Sequence, residues 1–306
     1  MTLEPVSLPP VSKDFRIKVG KWPPSGGAWD QNGCRETEGI NLEVTNSMKS
    51  ARTIEKAVEG EDFELHYQPI VDRVSGRAVA AEALLRWRTP GQHPGKAGEV
   101  AAEAEEGSAI FQLDDWSMSR AFTAACEWAD SGVTDLRLNL NLSAREFYKS
   151  GIIGRLTSSM ERSGFDPAML NLELTETSAI EDPEKAMKLF KKLKKLGIEI
   201  WLDDFGTGHS SLAWLRYFPV DGLKIPGTFV ENLATDHKDL TIVTAIVTMA
   251  GSLGLKVIAE GVEDQDQLAV LDDLECDMIQ GYLFYEALPI ETFCEQLSSG
   301  CSQSRS

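Results

Sequence analysis

The chain has 306 residues, 42% of them hydrophobic and 25% charged. That composition excludes a wholly disordered, collagen-like or disulfide-scaffold protein. The 30 Lys and Arg residues against 48 Asp and Glu give a net charge of −18, a field that repels nucleic-acid polymers but admits a small anion where bound cations neutralise it locally.

Residues 1–48 are rich in turn formers (Pro23, Pro24, Gly26, Gly27, Gly33, Gly39), show no sustained period and read as a leader or linker. No apolar stretch with a small-residue cleavage site marks a secretory signal. The 5 cysteines, Cys34, Cys126, Cys276, Cys294 and Cys301, are an odd number without a C-x-x-C pair. They indicate neither a disulfide framework nor a zinc ribbon, and a reducing, cytoplasmic compartment is expected. The longest uncharged run, residues 240–255, is short and polar for a membrane span of about 20 residues and reads as a buried helix.

From Ser50 onward short apolar runs alternate with longer amphipathic ones. Strands are predicted at 63–70, 79–87, 136–142, 170–174, 198–202, 220–225, 256–259 and 278–283. Between them lie helical stretches such as 183–196, where Asp182 can cap, Pro183 suits the first turn, Phe190 and Leu193 form an apolar stripe and Gly197 is a stop signal. Its lysines (Lys185, Lys188, Lys191, Lys192, Lys194, Lys195) read as a solvated face in so acidic a chain. Eight strand-helix units in about 250 residues predict a closed (β/α)8 barrel rather than an open doubly wound sheet, and no G-x-G-x-x-G opens a helix. The barrel is expected over 49–298, with a flexible tail at 299–306.

In such a barrel the C-terminal strand ends form the active face. The second predicted strand carries Glu82 and Arg86 among apolar neighbours; the third closes on Asn141 and the fourth on Glu173 and Glu176. The fifth runs through Asp203-Asp204 into Phe205-Gly206-Thr207-Gly208. The sixth carries Lys224, the seventh leads into Glu260 and Glu263, and the eighth holds Gln280 and Tyr282. Singly, each has a plain alternative: a rim charge, a solvated capped turn, a surface lysine or a packing aromatic. Gathered at one rim, Glu82, Glu173, Asp203, Asp204 and Glu260 could not all stay ionised without a counter-charge. An all-oxygen set of carboxylates and one amide favours Mg²⁺ or Mn²⁺ over zinc. Adjacent aspartates allow one carboxylate to bridge two ions, the clamp used for displacement at phosphorus. Lys224 then holds the attacking water or stabilises phosphoryl charge, and Gly206 and Gly208 let the following loop close or meet a neighbouring subunit.

These motifs resemble the EAL-domain cyclic di-GMP phosphodiesterases, named for the triplet that stands here as Glu82-Ala83-Leu84. The resemblance covers roughly residues 53–292 through Tyr67-Gln68-Pro69-Ile70, Glu82 to Trp87, Asn141-Leu142-Ser143, Glu173 to Glu176, Asp203 to Gly208, Leu223-Lys224-Ile225, Ala259 to Glu263 and Gln280-Gly281-Tyr282. It implies a modified (β/α)8 TIM-type barrel that hydrolyses cyclic di-GMP to linear 5′-pGpG with two divalent cations, Mg²⁺ or Mn²⁺. By resemblance, Glu82, Asn141, Glu173 and Asp203 hold one ion, and Asp203 with Asp204 the second. Lys224, Glu260 and Gln280 organise water, metal and phosphate, and Glu176 supports the loop after Asp203. Gln68, Leu84, Arg86, Arg145, Glu263 and Tyr282 are the expected substrate contacts, and a homodimer through the loop after Asp204 is implied.

Three departures from the family pattern stand out. Pro226 follows Lys224-Ile225 where the family usually has Asp, removing a carboxylate and a backbone donor. Val100-Ala101-Ala102 replaces the usual Phe-Ile-Pro, and His209 replaces a common Tyr. The first two imply weakened catalysis and altered guanine contacts, and with them an alternative reading as a catalytically weak receptor that binds without turnover.

Overall fold

The computed structural model describes residues 62–88, 95–96, 109–208 and 212–298. The expected leader at 1–48, the Val100–Ala102 and His209 departures, and the tail at 299–306 lie outside the described residues. The chain first forms a hairpin of β1 (Phe63–Asp72) and β2 (Ala78–Trp87), to which the two-residue β3 (Gly95–Lys96) adds an antiparallel pair. Then follow α1 (Ala109–Asp130), β4 (Arg137–Asn141), α2 (Ala144–Tyr148), α3 (Ile152–Ser163), β5 (Leu170–Thr175), α4 (Glu176–Glu181) and α5 (Pro183–Lys194). The remainder is β6 (Glu199–Asp203), α6 (Leu212–Leu215), β7 (Gly222–Ile225), α7 (Gly227–Val230), α8 (His237–Leu253), β8 (Lys256–Ala259), α9 (Gln265–Asp273), β9 (Met278–Ile279) and α10 (Ile290–Ser298).

Strands β1, β2 and β4 to β9 close into a ring, since β1 pairs with both β2 and β9. From β2 through β9 the ring strands are parallel, so the predicted barrel holds. Its departure from strict repetition lies at β1, which is antiparallel to both neighbours. A tight turn rather than a helix leads from β1 to β2: Asp72 Oδ1 accepts from the Ser75 amide at 2.7 Å and hydroxyl at 2.6 Å, and Gly76 takes φ +66°. Reversal brings the first half of β1 to the open rim and sets Gln68 opposite Glu82.

Alternation along each strand divides the core in two. Outward residues such as Leu138, Leu140, Leu172, Leu202, Leu223 and Val257 pack under the helices. Inside the ring, Ile70, Ala80, Trp201, Ile258 and Met278 form a separate apolar cluster. The Trp201 ring occupies the room that Gly222 leaves on the next strand; a Cβ there would lie 2.3 Å from its Cζ3.

The predicted helix after Asp182 appears as α5, with the Asp182 side chain accepting from the Lys185 amide at 3.1 Å and Ala186, Phe190 and Leu193 buried. Lys185, Lys188, Lys191, Lys192 and Lys195 are exposed, as a solvated face requires. The uncharged run at 240–255 forms most of α8, but only one face, through Val243, Ile246 and Ala250, is buried. Ile242 and Leu253 are exposed, so the expected buried helix is buried on that one face. No helix among the described residues is long and apolar enough to cross a membrane. The last predicted strand stops early, at Ile279. There Gly281 lies so close to the Val262 backbone that an added Cβ would stand 2.0 Å from its carbonyl oxygen, and the chain turns away.

Candidate active site

Period-two alternation sends Glu82, Asn139, Asn141, Asn171, Glu173, Asp203 and Lys224 to the inside of the ring, while Glu260 and Gln280 follow β8 and β9 directly. Lys224 is wholly buried. Its Nζ lies 2.6 Å from Glu260 Oε1, 2.9 Å from Glu173 Oε2, 3.0 Å from Glu82 Oε2 and 3.7 Å from Asp203 Oδ1. The amides complete the cluster: Asn141 Nδ2 donates to Glu82 Oε1 at 2.6 Å, and Gln280 Nε2 to Glu82 Oε2 at 2.7 Å and Gln68 Oε1 at 3.2 Å. Gln68 is fixed in turn by donating to the Tyr285 carbonyl at 3.0 Å.

This arrangement unbalances charge. Burial alone would lower the Lys224 pKa, but Asp203, Glu173, Glu260 and Glu82 raise it well above the usual range, so the ammonium stays charged. Burial, with the repulsion of Glu82 beside it, pushes the Glu173 carboxyl well up. Burial also opposes ionisation of Glu82, yet Lys224 and the donors Gln280 and Asn141 hold that carboxyl below its usual value. Glu260 is pushed up to about 7, first by burial, against the pull of Lys224. Asp204 is raised by burial and by neighbouring Asp203.

Lys224 thus supplies part of the counter-charge that the sequence reading assigned wholly to metal ions. Among the described residues no three Asp, Glu, His or Cys side chains close around a common point of their own; the ammonium stands where the carboxylates meet. The donor chemistry fits a hard cation all the same. Four carboxylates surround one ammonium, Asn141 keeps its Oδ1 as an acceptor, and the buried Gln280 Oε1 has no hydrogen-bond partner.

The remaining expected residues are placed unequally. Asp204 is exposed, at φ +52°, with its amide donating to Asp203 Oδ1 at 2.8 Å. Its left-handed backbone is what turns the chain sharply out of β6. Glu176 is buried apart from the cluster and accepts from the Gly206 amide at 3.0 Å, beneath the loop that follows Asp204. Two cavities flank the rim. One of about 500 Å³ is lined by Gln68, Leu84, Arg86, Asp114, Asn141 and Tyr282, among others. The other, of about 270 Å³, is lined by Glu82, Asp203, Glu260, Glu263 and, again, Gln68, Leu84 and Tyr282. Tyr282 is 54% exposed, so it is not a packing residue. Arg145 is exposed on α2 and lines neither cavity. Pro226 is buried and precedes α7 without a side-chain cap.

Sequence reasoning singled out neither Asn139, Asn171 nor Arg137, which lie beneath the cluster, nor Asp114, whose Oδ2 accepts from Ser143 Oγ at 2.5 Å. The signal for the first three was present, since Arg137, Asn139 and Asn141, like Asn171 and Glu173, share one strand face.

The sequence matches the EAL domain family over residues 51–287. The chain belongs to that family. The cyclic di-GMP phosphodiesterase NbdA of Pseudomonas aeruginosa is 35% identical over 256 residues, covering 84% of this chain and 33% of the relative. This EAL chain spans about a third of the length of the first curated relatives it matches. Among solved structures, the MucR phosphodiesterase in complex with cyclic di-GMP superposes with a TM-score of 0.77 at 35% identity, covering 80% of this chain and 99% of that one. BlrP1 of Klebsiella pneumoniae, as a calcium and cyclic di-GMP complex, does so at 0.67 with 28% identity, over 76% of this chain and 57% of that one.

Proposed function

We propose that this EAL domain is a metal-dependent phosphodiesterase that hydrolyses cyclic di-GMP to linear 5′-pGpG. The observation that carries the reading is the pair of cavities sharing Gln68, Leu84 and Tyr282, one of them floored by Glu82, Asp203 and Glu260. A cyclic dinucleotide offers two bases and two phosphodiesters, and a cavity of about 500 Å³ suits ligands of that class. Family membership and the ligands named for MucR and BlrP1 support the same choice.

Glu82, Asn141, Glu173 and Asp203 hold one divalent cation, Mg²⁺ or Mn²⁺, and Asp203 with Asp204 a second. When bound, such a pair supplies a water ionised near neutral pH and a counter-charge for the phosphate. The protein's own groups do the rest. Lys224, wholly buried, keeps the carboxylates convergent and offsets part of their charge without reorganisation. Glu260, 2.6 Å from Lys224 Nζ and at the edge of the smaller cavity, stands where it can organise water at the site. Gln280 orients Glu82 from the side and is itself held by Gln68. Leu84, Arg86, Glu263 and Tyr282 contact the nucleotide, Tyr282 by stacking; Arg145, outside both cavities, is left without that role. One P–O3′ bond breaks as water adds at phosphorus, the proton lost by the water is made up on the departing O3′, and the phosphate stays on the 5′ side. Glu176 holds the loop after Asp204, through which two copies pair.

Incubation of purified protein with cyclic di-GMP and Mg²⁺ or Mn²⁺, with and without chelator, followed by nucleotide chromatography, tests the activity. Linear product in the metal samples alone is expected, and Glu82→Ala lowers turnover more than about 100-fold, beyond the usual loss for an outer partner of a metal ligand. Tight binding with no product would leave a receptor in place of an enzyme, the outcome that Pro226 favours.

A further inference from the structure

The inside of a (β/α)8 barrel is ordinarily filled by branched apolar side chains, as on one side of this one by Ile70, Ile258 and Met278 with Trp201. On β4 and β5 two wholly or nearly wholly buried asparagines, Asn139 and Asn171, take that place. Burying an amide costs free energy unless it is paired, and both are paired in a line. Arg137 Nε donates to Asn171 Oδ1 at 2.6 Å, Asn171 Nδ2 to Asn139 Oδ1 at 2.8 Å, and Asn139 Nδ2 to Glu173 Oε1 at 2.5 Å. At the far end Arg137 is tied to the Leu170 carbonyl at 3.2 Å and to Glu199 Oε1 at 3.4 Å, with a quarter of its side chain exposed.

The direction of this line is forced. A guanidinium only donates, so Asn171 must turn its oxygen to Arg137 and its nitrogen to Asn139, which must then turn its own nitrogen to Glu173. Every dipole points the same way, and aligned bonds of this kind strengthen one another. Glu173 therefore spends Oε1 on the amide and keeps Oε2, 2.9 Å from Lys224 Nζ, for the cluster. An apolar residue at 139 would leave the carboxylate free to rotate and offer both oxygens to the ammonium.

We propose that Arg137, Asn171 and Asn139 are positioning residues, a relay from the closed end of the barrel that orients the Glu173 carboxylate for a divalent cation. The inference rests on the metal-binding role given to Glu173 above. It is tested on the full chain without nucleotide, by Mn²⁺ titration followed through the paramagnetic resonance signal of the free ion. Asn139→Leu and Asn171→Leu, which keep the branching of the side chains they replace and remove their polar atoms, weaken Mn²⁺ binding by about 10- to 100-fold, the range for outer partners of a metal ligand. Arg137→Met, which touches no candidate ligand, weakens it by a smaller factor, and Arg137→Lys restores part of the loss because it keeps a donor. A purely structural role would lower the melting temperature of Arg137→Met and leave its Mn²⁺ affinity unchanged. Unchanged Mn²⁺ affinity in Arg137→Met, or in a folded Asn139→Leu, overturns the relay while leaving the metal site intact. Should Asn139→Leu not fold, the two Arg137 variants decide alone. A wild-type chain that binds no Mn²⁺ overturns the metal site and the relay together, so the two failures are told apart.

Discussion

At Glu260 the electrostatics of the rim become measurable. Its carboxyl moves from an ordinary value of 4.5 to about 7 on folding, chiefly through burial. A carboxyl whose folded pKa is the higher one binds more protons in the native state. Its contribution to stability is therefore complete below about 4.5 and is lost as pH rises through about 7. Glu260→Gln copies the protonated form and removes the dependence. With chelator present, the melting temperature of the wild type relative to Glu260→Gln should fall between about pH 4.5 and 7. A difference that stays flat or rises over that window would refute the assignment. Lys224 shows how far single residues could be read in advance. Its position near a strand end was legible, but its place among four carboxylates was not, because a sequence does not say which of several inward charges meets which.

Strands carried the most readable signal, because alternation between two buried faces writes itself into the chain at period two. Every predicted strand has a counterpart among β1, β2 and β4 to β9, with shifted ends. Its ends were less readable, since pairing rather than propensity sets them; β9 stops where Gly281 meets the Val262 backbone. The reversal of β1 was equally hidden, although the Asp72–Ser75 turn that produces it is local. Packing between elements gives the sharpest test at this scale. Gly222→Ala would force its Cβ to within 2.3 Å of the Trp201 ring, and overpacking of this kind costs about 1–3 kcal/mol. Denaturant unfolding should show that loss, and Trp201→Phe in the same chain should recover part of it. Wild-type stability in Gly222→Ala would mean that the ring is not seated against β7.

Across the whole molecule the net charge of −18 opposes the dianionic nucleotide proposed as its ligand. Without divalent cation, binding should therefore tighten as KCl rises from about 20 to about 200 mM, because screening shortens the reach of the repulsion. A steady weakening by salt, followed by calorimetry in chelator, would show instead that local cationic contacts dominate. The sequence by itself determined the barrel class, the rim on which its chemistry sits and the identity of the charged residues there, because strand period and strand-end position are local properties. Tertiary structure alone decided that one ammonium anchors the carboxylates, that Tyr282 and Leu84 border two cavities, and that buried amides reach Glu173 from below. Those facts depend on strand register and ring closure, which bring together side chains as much as 212 positions apart, as Gln68 and Gln280 are, and no local pattern records that distance.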